Sequence, residues 1–132
     1  MTASSTDVST AVLESPLAVV RCTSTGDVSA ALRICSRHRV PAVPTAAGTS
    51  LEGGANSTTE SMCLELSGMD ALLRIGADDL DATVQAGVMK SSLNGALAAH
   101  GLTFPVGPGV DASIGSMAST GPVEPLPCGT AP

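Results

Sequence analysis

Two stretches of small residues hold the groups best suited to gripping a ligand. The first, Ala46-Ala47-Gly48-Thr49-Ser50-Leu51-Glu52-Gly53-Gly54, follows directly on a short apolar run. Glycines let successive backbone N–H groups converge on one point, and the hydroxyls of Thr49 and Ser50 add neutral donors, which is what an anion such as a pyrophosphate needs. The stretch has neither the Lys of a P-loop nor the G-x-G-x-x-G spacing of a dinucleotide turn. Glu52 opposes an anion, and no Lys or Arg falls between Arg39 and Arg74. On its residues alone it reads either as a cradle of neutral donors or as a plain turn. The second stretch, Pro105-Val106-Gly107-Pro108-Gly109-Val110-Asp111-Ala112-Ser113-Ile114-Gly115-Ser116, has the same character. Small side chains there allow a ligand to lie against the backbone, and suit a tight surface crossing equally well.

The other reactive side chains are placed less suggestively. His38 falls in the last turn of a helical pattern between Arg37 and Arg39, and His100 ends a second one, so both read as surface or capping groups. Arg74 reads as a solvated strand residue. Cys22, Cys35, Cys63 and Cys128 are widely spaced, with no C-x-x-C and no short Cys/His pairing, so neither a zinc site nor a disulfide framework is expected and the thiols are read as buried and reduced.

The elements that must carry these stretches can be read from periodicity and turn chemistry. Residues 1–16 are Ser/Thr-rich without apolar periodicity and are expected to be a disordered lead-in. Leu17 to Val20 reads as a buried strand. Ser24 or Thr25 can cap a helix whose apolar face is Val28, Ala31, Leu32 and Cys35, with Asp27 in its first turn and Arg37, His38 and Arg39 at its end. Val40-Pro41 stops that helix and Ala42-Val43 begins a second strand, a βαβ pattern implying parallel pairing and a right-handed crossover. Met62, Leu64 and Leu66 alternate with Cys63 and Glu65 as a third strand, and Leu72–Ile75 and Ala82–Ala86 flank the polar turn Gly76–Asp79. A second helix over Met89–His100 presents Met89, Leu93, Ala96 and Leu97, with Gly101 placed for a left-handed C-terminal cap. Beyond it the chain reads as loop, and residues 121–132 as an irregular Pro-rich tail. The organisation is α/β at the front and α+β behind.

Composition narrows the possible partners. The 132 residues are 43% hydrophobic but include one aromatic residue, Phe104, so Ala, Val and Leu must fill the core without the roughly 150–250 Å² that each large aromatic removes from water. Six basic residues against 12 acidic give a net charge of −6, which argues against nucleic acid as a partner. No apolar run approaches the roughly 20 residues of a membrane span, and the opening has no basic residue before Arg21, so a cytoplasmic protein is expected.

Taken in order, the runs DVSAALRICSRHRVPAVPTAAGTSLEGGA, LSGMDALLRI, ATVQAGV and LNGALAAHGLTFPVGPGVDASIGSMAST resemble one family: the FAD-binding PCMH-type domain of the vanillyl-alcohol-oxidase-like flavoproteins. Within it the likeness is to the branch of D-lactate dehydrogenase (cytochrome) and the glycolate oxidase FAD subunit, whose members are also found in mitochondria or peripheral to a membrane. The resemblance spans residues 17–120. It implies an α+β fold with an N-terminal βαβ subdomain and the beginning of a second, mostly antiparallel subdomain. It also implies FAD as cofactor. The family's Pro-x-Gly-x-Gly-Thr-Ser segment falls on Pro44 to Ser50, making Ala46, Ala47, Gly48, Thr49 and Ser50 the implied pyrophosphate contacts. The family's second flavin segment falls on Pro105 to Ser116, where Pro108, Asp111, Ser113, Gly115 and Ser116 are the implied contacts. Ala46 stands where relatives have the first Gly, and Ser116 where they have the second Gly of Ile-Gly-Gly. The absence of a tethering His implies a non-covalent flavin. The resemblance further implies oxidation of a small 2-hydroxy acid such as D-lactate or glycolate by the whole flavoprotein. No catalytic base or metal ligand is identified here, so this chain alone is expected to be catalytically incomplete. The alternative is a truncated remnant or interaction module that binds no flavin.

Overall fold

The computed structural model describes residues 15–46, 59–106 and 111–120. The chain divides into two units, residues 1–69 and residues 70–132.

In the first unit, strands β1 (Ala18–Arg21), β2 (Ala42–Thr45) and β3 (Met62–Glu65) form a three-stranded sheet, with helix α1 (Thr25–His38) between β1 and β2 in sequence. All pairings are parallel, as the βαβ pattern implies, but β1 and β2 do not pair with each other. β3 lies between them, Val19 and Val43 both standing opposite Cys63. The reason is chemical. A central parallel strand must be apolar on both faces, and Cys63 and Leu64 are consecutive and both buried, so the inward/outward alternation expected for this strand is absent. β2 contains Pro44, which has no N–H to give a second neighbour, and β1 leaves Val19 and Arg21 exposed.

α1 begins with a reciprocal capping box. Ser24 Oγ accepts the Asp27 N–H at 3.2 Å, and the Asp27 carboxylate accepts the Ser24 N–H at 3.0 Å. It ends at Arg39, which adopts the left-handed conformation (φ 55°) and returns its N–H to the carbonyls of Cys35 and Ser36. Ala31 packs with Cys22, Leu64 and Met69, flanked by Val20, Val28, Ala42, Met62 and Leu66. Leu32, expected on this face, is 45% exposed. It lies on the flank of the stripe formed by Val28, Ala31 and Cys35, and a sheet of strands only four residues long does not reach it.

In the second unit, β4 (Leu72–Gly76) and β5 (Asp81–Val84) form an antiparallel hairpin with an irregularity between Leu72 and Arg74. β5 ends at Val84 rather than Ala86, although the Gln85 N–H still bonds the Ala71 carbonyl at 2.9 Å. The left-handed residue of the turn is Leu80 (φ 55°). Helix α2 (Lys90–Ala98) buries Leu93 and Leu97 against Val88, and Ile75, Val84, Leu102, Phe104 and Ile114 close round them. Gly101 takes φ 68°, the left-handed position expected of it. Residues 114–120, read as loop, form a short helix α3 (Ile114–Thr120) whose first turn is held by Ser113 Oγ accepting the Ser116 N–H at 3.3 Å. Seven residues with one buried side chain, Met117, are too few to display a helical period in sequence.

Ser24→Ala is expected to lower stability by about 1 kcal/mol in urea unfolding, through loss of the cap. The Thr23 N–H and hydroxyl, then Ser24, hold the Asp27 carboxyl below its ordinary value. The stabilisation is therefore complete above the ordinary carboxylate pKa of about 4 and is lost as pH falls below it toward the folded value. Urea curves at falling pH should show a steeper loss for the natural chain than for Asp27→Asn, and parallel curves would contradict the assignment.

Candidate functional site

An anion needs unengaged N–H groups, and the beginning of a helix is the usual place to find them. Here α1 is closed by its own acid: the Asp27 carboxylate accepts the N–H of Thr23 at 2.9 Å and its hydroxyl at 3.0 Å, besides the Ser24 N–H. α2 is closed by an acid from elsewhere in its unit. Met89, its N-terminal flanking residue, has no side chain able to cap, and Asp111 does so instead, accepting the Ser91 N–H at 3.1 Å on one carboxylate oxygen and the Ser91 hydroxyl on the other. The Ser91 hydroxyl is the main reason the Asp111 carboxyl lies below its ordinary value. Burial, the next-largest influence, opposes it, and the N–H groups of Ser91 and Ala112 and the charge of Lys90 add to the lowering. Each carboxylate places a negative charge at the start of its helix, which opposes an anion there.

The carboxyl end of β2 is the second place to consider. Thr45 is buried, its carbonyl accepts the Leu66 N–H at 2.8 Å, and Ala46 follows it half-buried where the chain leaves the parallel sheet. Crevices outside the carboxyl ends of parallel strands are where α/β folds take their nucleotides. Ala47, Gly48, Thr49 and Ser50 lie outside the described residues, as does Pro108.

Asp111, Ser113, Gly115 and Ser116 are brought together along one segment, laid against residues 86–91. The Lys90 N–H bonds the Ala112 carbonyl at 2.9 Å, the Ile114 N–H bonds the Val88 carbonyl at 2.8 Å, and the Gly115 N–H bonds the Ala86 carbonyl at 2.9 Å, around an antiparallel bridge between Met89 and Ser113. Ser113 is fully buried. A Cβ at Gly115 would stand 2.8 Å from both the carbonyl oxygen and the Cβ of Ala86, so the glycine is required by a close approach of protein backbone. Ser116 is half-buried in the first turn of α3.

The remaining reactive groups take structural places. Arg74 pairs with Asp79 at 3.2 Å and Asp81 at 2.9 Å on the surface of the hairpin. His38 and His100 are exposed at the ends of α1 and α2. Cys22, Cys35 and Cys63 are buried free thiols, and burial, helped by Asp27 and Glu65, pushes the Cys22 thiol up, away from the reactive thiolate. Among the described residues no group of His, Cys, Asp and Glu could hold a metal ion. Sequence reasoning missed Ser91 and Asn94; the available signal was Asn94, a polar residue in mid-helix where Asn is disfavoured, with Ser91 three residues before it in the first turn.

Gly115→Ala is expected to destabilise the chain by about 1–3 kcal/mol, the usual effect of overpacking. Gly95→Ala, in α2 with nothing within 4 Å of the new methyl group, is expected to stabilise by about 0.5–1 kcal/mol. Urea midpoints measure both, and a neutral Gly115→Ala would contradict the close approach.

Residues 16–126 match the model of a family described as "FAD binding domain". The chain is 42% identical over 105 residues to a protein of Danio rerio named "Probable D-lactate dehydrogenase, mitochondrial", covering 80% of this chain and 21% of that one. It is 36% identical over 105 residues to "D-lactate dehydrogenase [cytochrome], mitochondrial" of Arabidopsis thaliana, covering 80% and 18%. It is 40% identical over 93 residues to "Glycolate oxidase subunit GlcD" of Bacillus subtilis, covering 70% and 20%. The chain thus spans about a fifth of the length of these curated relatives. Among solved structures, alkyldihydroxyacetonephosphate synthase shares the fold with a TM-score of 0.61 at 18% identity, over 68% of this chain and 17% of that one.

Proposed function

The chain belongs to the FAD binding domain family, with FAD as its cofactor, and we propose that it is the cofactor-holding portion of an FAD-dependent oxidoreductase acting on a small 2-hydroxy acid such as D-lactate or glycolate. The observation that carries this is that the family match over residues 16–126 includes both small-residue segments in order, alongside relatives named as D-lactate dehydrogenases and a glycolate oxidase subunit. Bound FAD supplies an acceptor for the two electrons that leave a hydroxy acid as it becomes a keto acid.

In this reading Ala46, Ala47, Gly48, Thr49 and Ser50 hold the pyrophosphate with neutral donors. The carboxylates of Asp27 and Asp111 stand at the starts of α1 and α2, where their charge opposes an anion. Pro108, Asp111, Ser113, Gly115 and Ser116 belong to the segment lying along the flavin. Within it the buried Ser113 and the close-packed Gly115 set the path of the backbone, and Ser116 contributes the surface beside them. Neither segment contains a His, which supports a non-covalent flavin. A base and a clamp for the substrate carboxylate are not among the roles found for His38, His100 and Arg74, so a complete reaction draws them from the rest of such a flavoprotein. A cytoplasmic setting fits the buried free thiols of Cys22, Cys35 and Cys63. Among the described residues no helix is long and apolar enough to cross a membrane.

The test is titration of the chain with FAD. Flavin fluorescence should be quenched, and FAD at a hundredfold excess over its dissociation constant should stabilise the fold by about 2.7 kcal/mol. D-lactate should give no dye reduction by the chain alone. Absence of any stabilisation at high FAD would overturn the reading in favour of a remnant that binds no flavin.

A further inference from the structure

Ser91 and Asn94 stand three residues apart on α2, so their side chains share one face of the helix. Asn94 Oδ1 accepts the main-chain N–H of Phe104 at 2.7 Å and the hydroxyl of Thr103 at 3.2 Å. An oxygen accepting from a main-chain N–H leaves no ambiguity about which way the amide is turned. Ser91, one turn nearer the start of α2, gives its N–H and its hydroxyl to Asp111. The same helix face therefore grips the chain at Phe104, where the second small-residue segment begins, and again at Asp111. On the far side of Asp111 the ladder to residues 86–90 takes over. Phe104 is doubly held, since it also packs against the cluster of Val88, Leu93 and Leu97. Asn94 is a poor choice for a helix interior, and both it and Ser91 in the first turn are engaged by a partner outside the helix.

We propose that Ser91 and Asn94 are positioning residues for the cofactor, acting through Asp111 and Phe104 to hold the second flavin segment at its start and again at Asp111, and that Asp111 serves FAD through Ser91 rather than by touching it. The proposal rests on the FAD reading above.

The test uses the full chain and its variants, with and without FAD. Without FAD, Asn94→Ala should speed amide exchange at Phe104 about tenfold and leave the β4–β5 hairpin unchanged. With FAD, the same variant should weaken binding about tenfold, the loss of roughly one hydrogen bond. Asn94→Asp, which keeps an acceptor for both donors, should restore both readings. Asp111→Asn, which keeps one oxygen able to accept from Ser91, should weaken FAD binding less than Asp111→Ala. Ser91→Ala and Asp111→Ala should weaken binding in the same direction, the double variant being no worse than Asp111→Ala. If Asp111→Asn binds as weakly as Asp111→Ala while Ser91→Ala binds normally, the carboxylate charge itself meets the cofactor and the proposal falls. Unchanged exchange at Phe104 in Asn94→Ala overturns it as well. If the natural chain takes up no FAD, the cofactor reading fails. The exchange data without FAD then report separately whether α2 holds Phe104 and Asp111.

Discussion

The second unit depends on how closely residues 111–115 approach residues 86–90. Three main-chain hydrogen bonds and the bridge between Met89 and Ser113 are possible only because position 115 lacks a Cβ, which would lie 2.8 Å from the carbonyl oxygen of Ala86. That approach buries Ser113, whose hydroxyl starts α3, and brings Asp111 over the first turn of α2, which has no cap of its own. It also sets Ile114 against Val88, Leu93 and Leu97. Removing one methyl group from one residue thus makes room for a ladder, a cap, a short helix and part of the core.

Acidic residues close both longer helices, and this shapes what the chain can offer an anionic cofactor. The lack of any Lys or Arg between Arg39 and Arg74 leaves backbone N–H groups and hydroxyls as the donors within the segment that follows β2. Neutral donors suffice for a pyrophosphate when the backbone is preorganised, which is the use of glycines and small residues after a strand. Asp27 and Asp111 are then compatible with an anion-binding chain, because their charge is directed at N–H groups of the protein itself.

Much of the fold was legible along the chain. The cap at Ser24 or Thr25 with Asp27 in the first turn, the stop at Val40-Pro41, the turn at residues 76–79 and the left-handed Gly101 are local features, each decided within about five residues of chain. Pro44 suits the edge position that β2 takes, since proline brings no N–H to a ladder. What was not legible depended on distant partners: β3 between β1 and β2, Leu32 on the flank of α1, and α3 in a stretch too short and too small to show a period. At the candidate site the likeness of the two segments to a flavoprotein family was readable from residue types in order. Gly115 looked there like a place for ligand to approach backbone, and in the folded chain it is where backbone meets backbone.

By itself the sequence determined the local elements, the order of the two small-residue segments and their family, because caps, breakers and motif order act between near neighbours. Tertiary structure alone decided what the polar groups do. Ser91, Asn94 and Asp111 are 20 residues or fewer apart, yet no spacing rule links them. Their hydrogen bonds form only once Leu93, Leu97 and Phe104 have packed into one cluster and Gly115 has let the chain come back against Ala86.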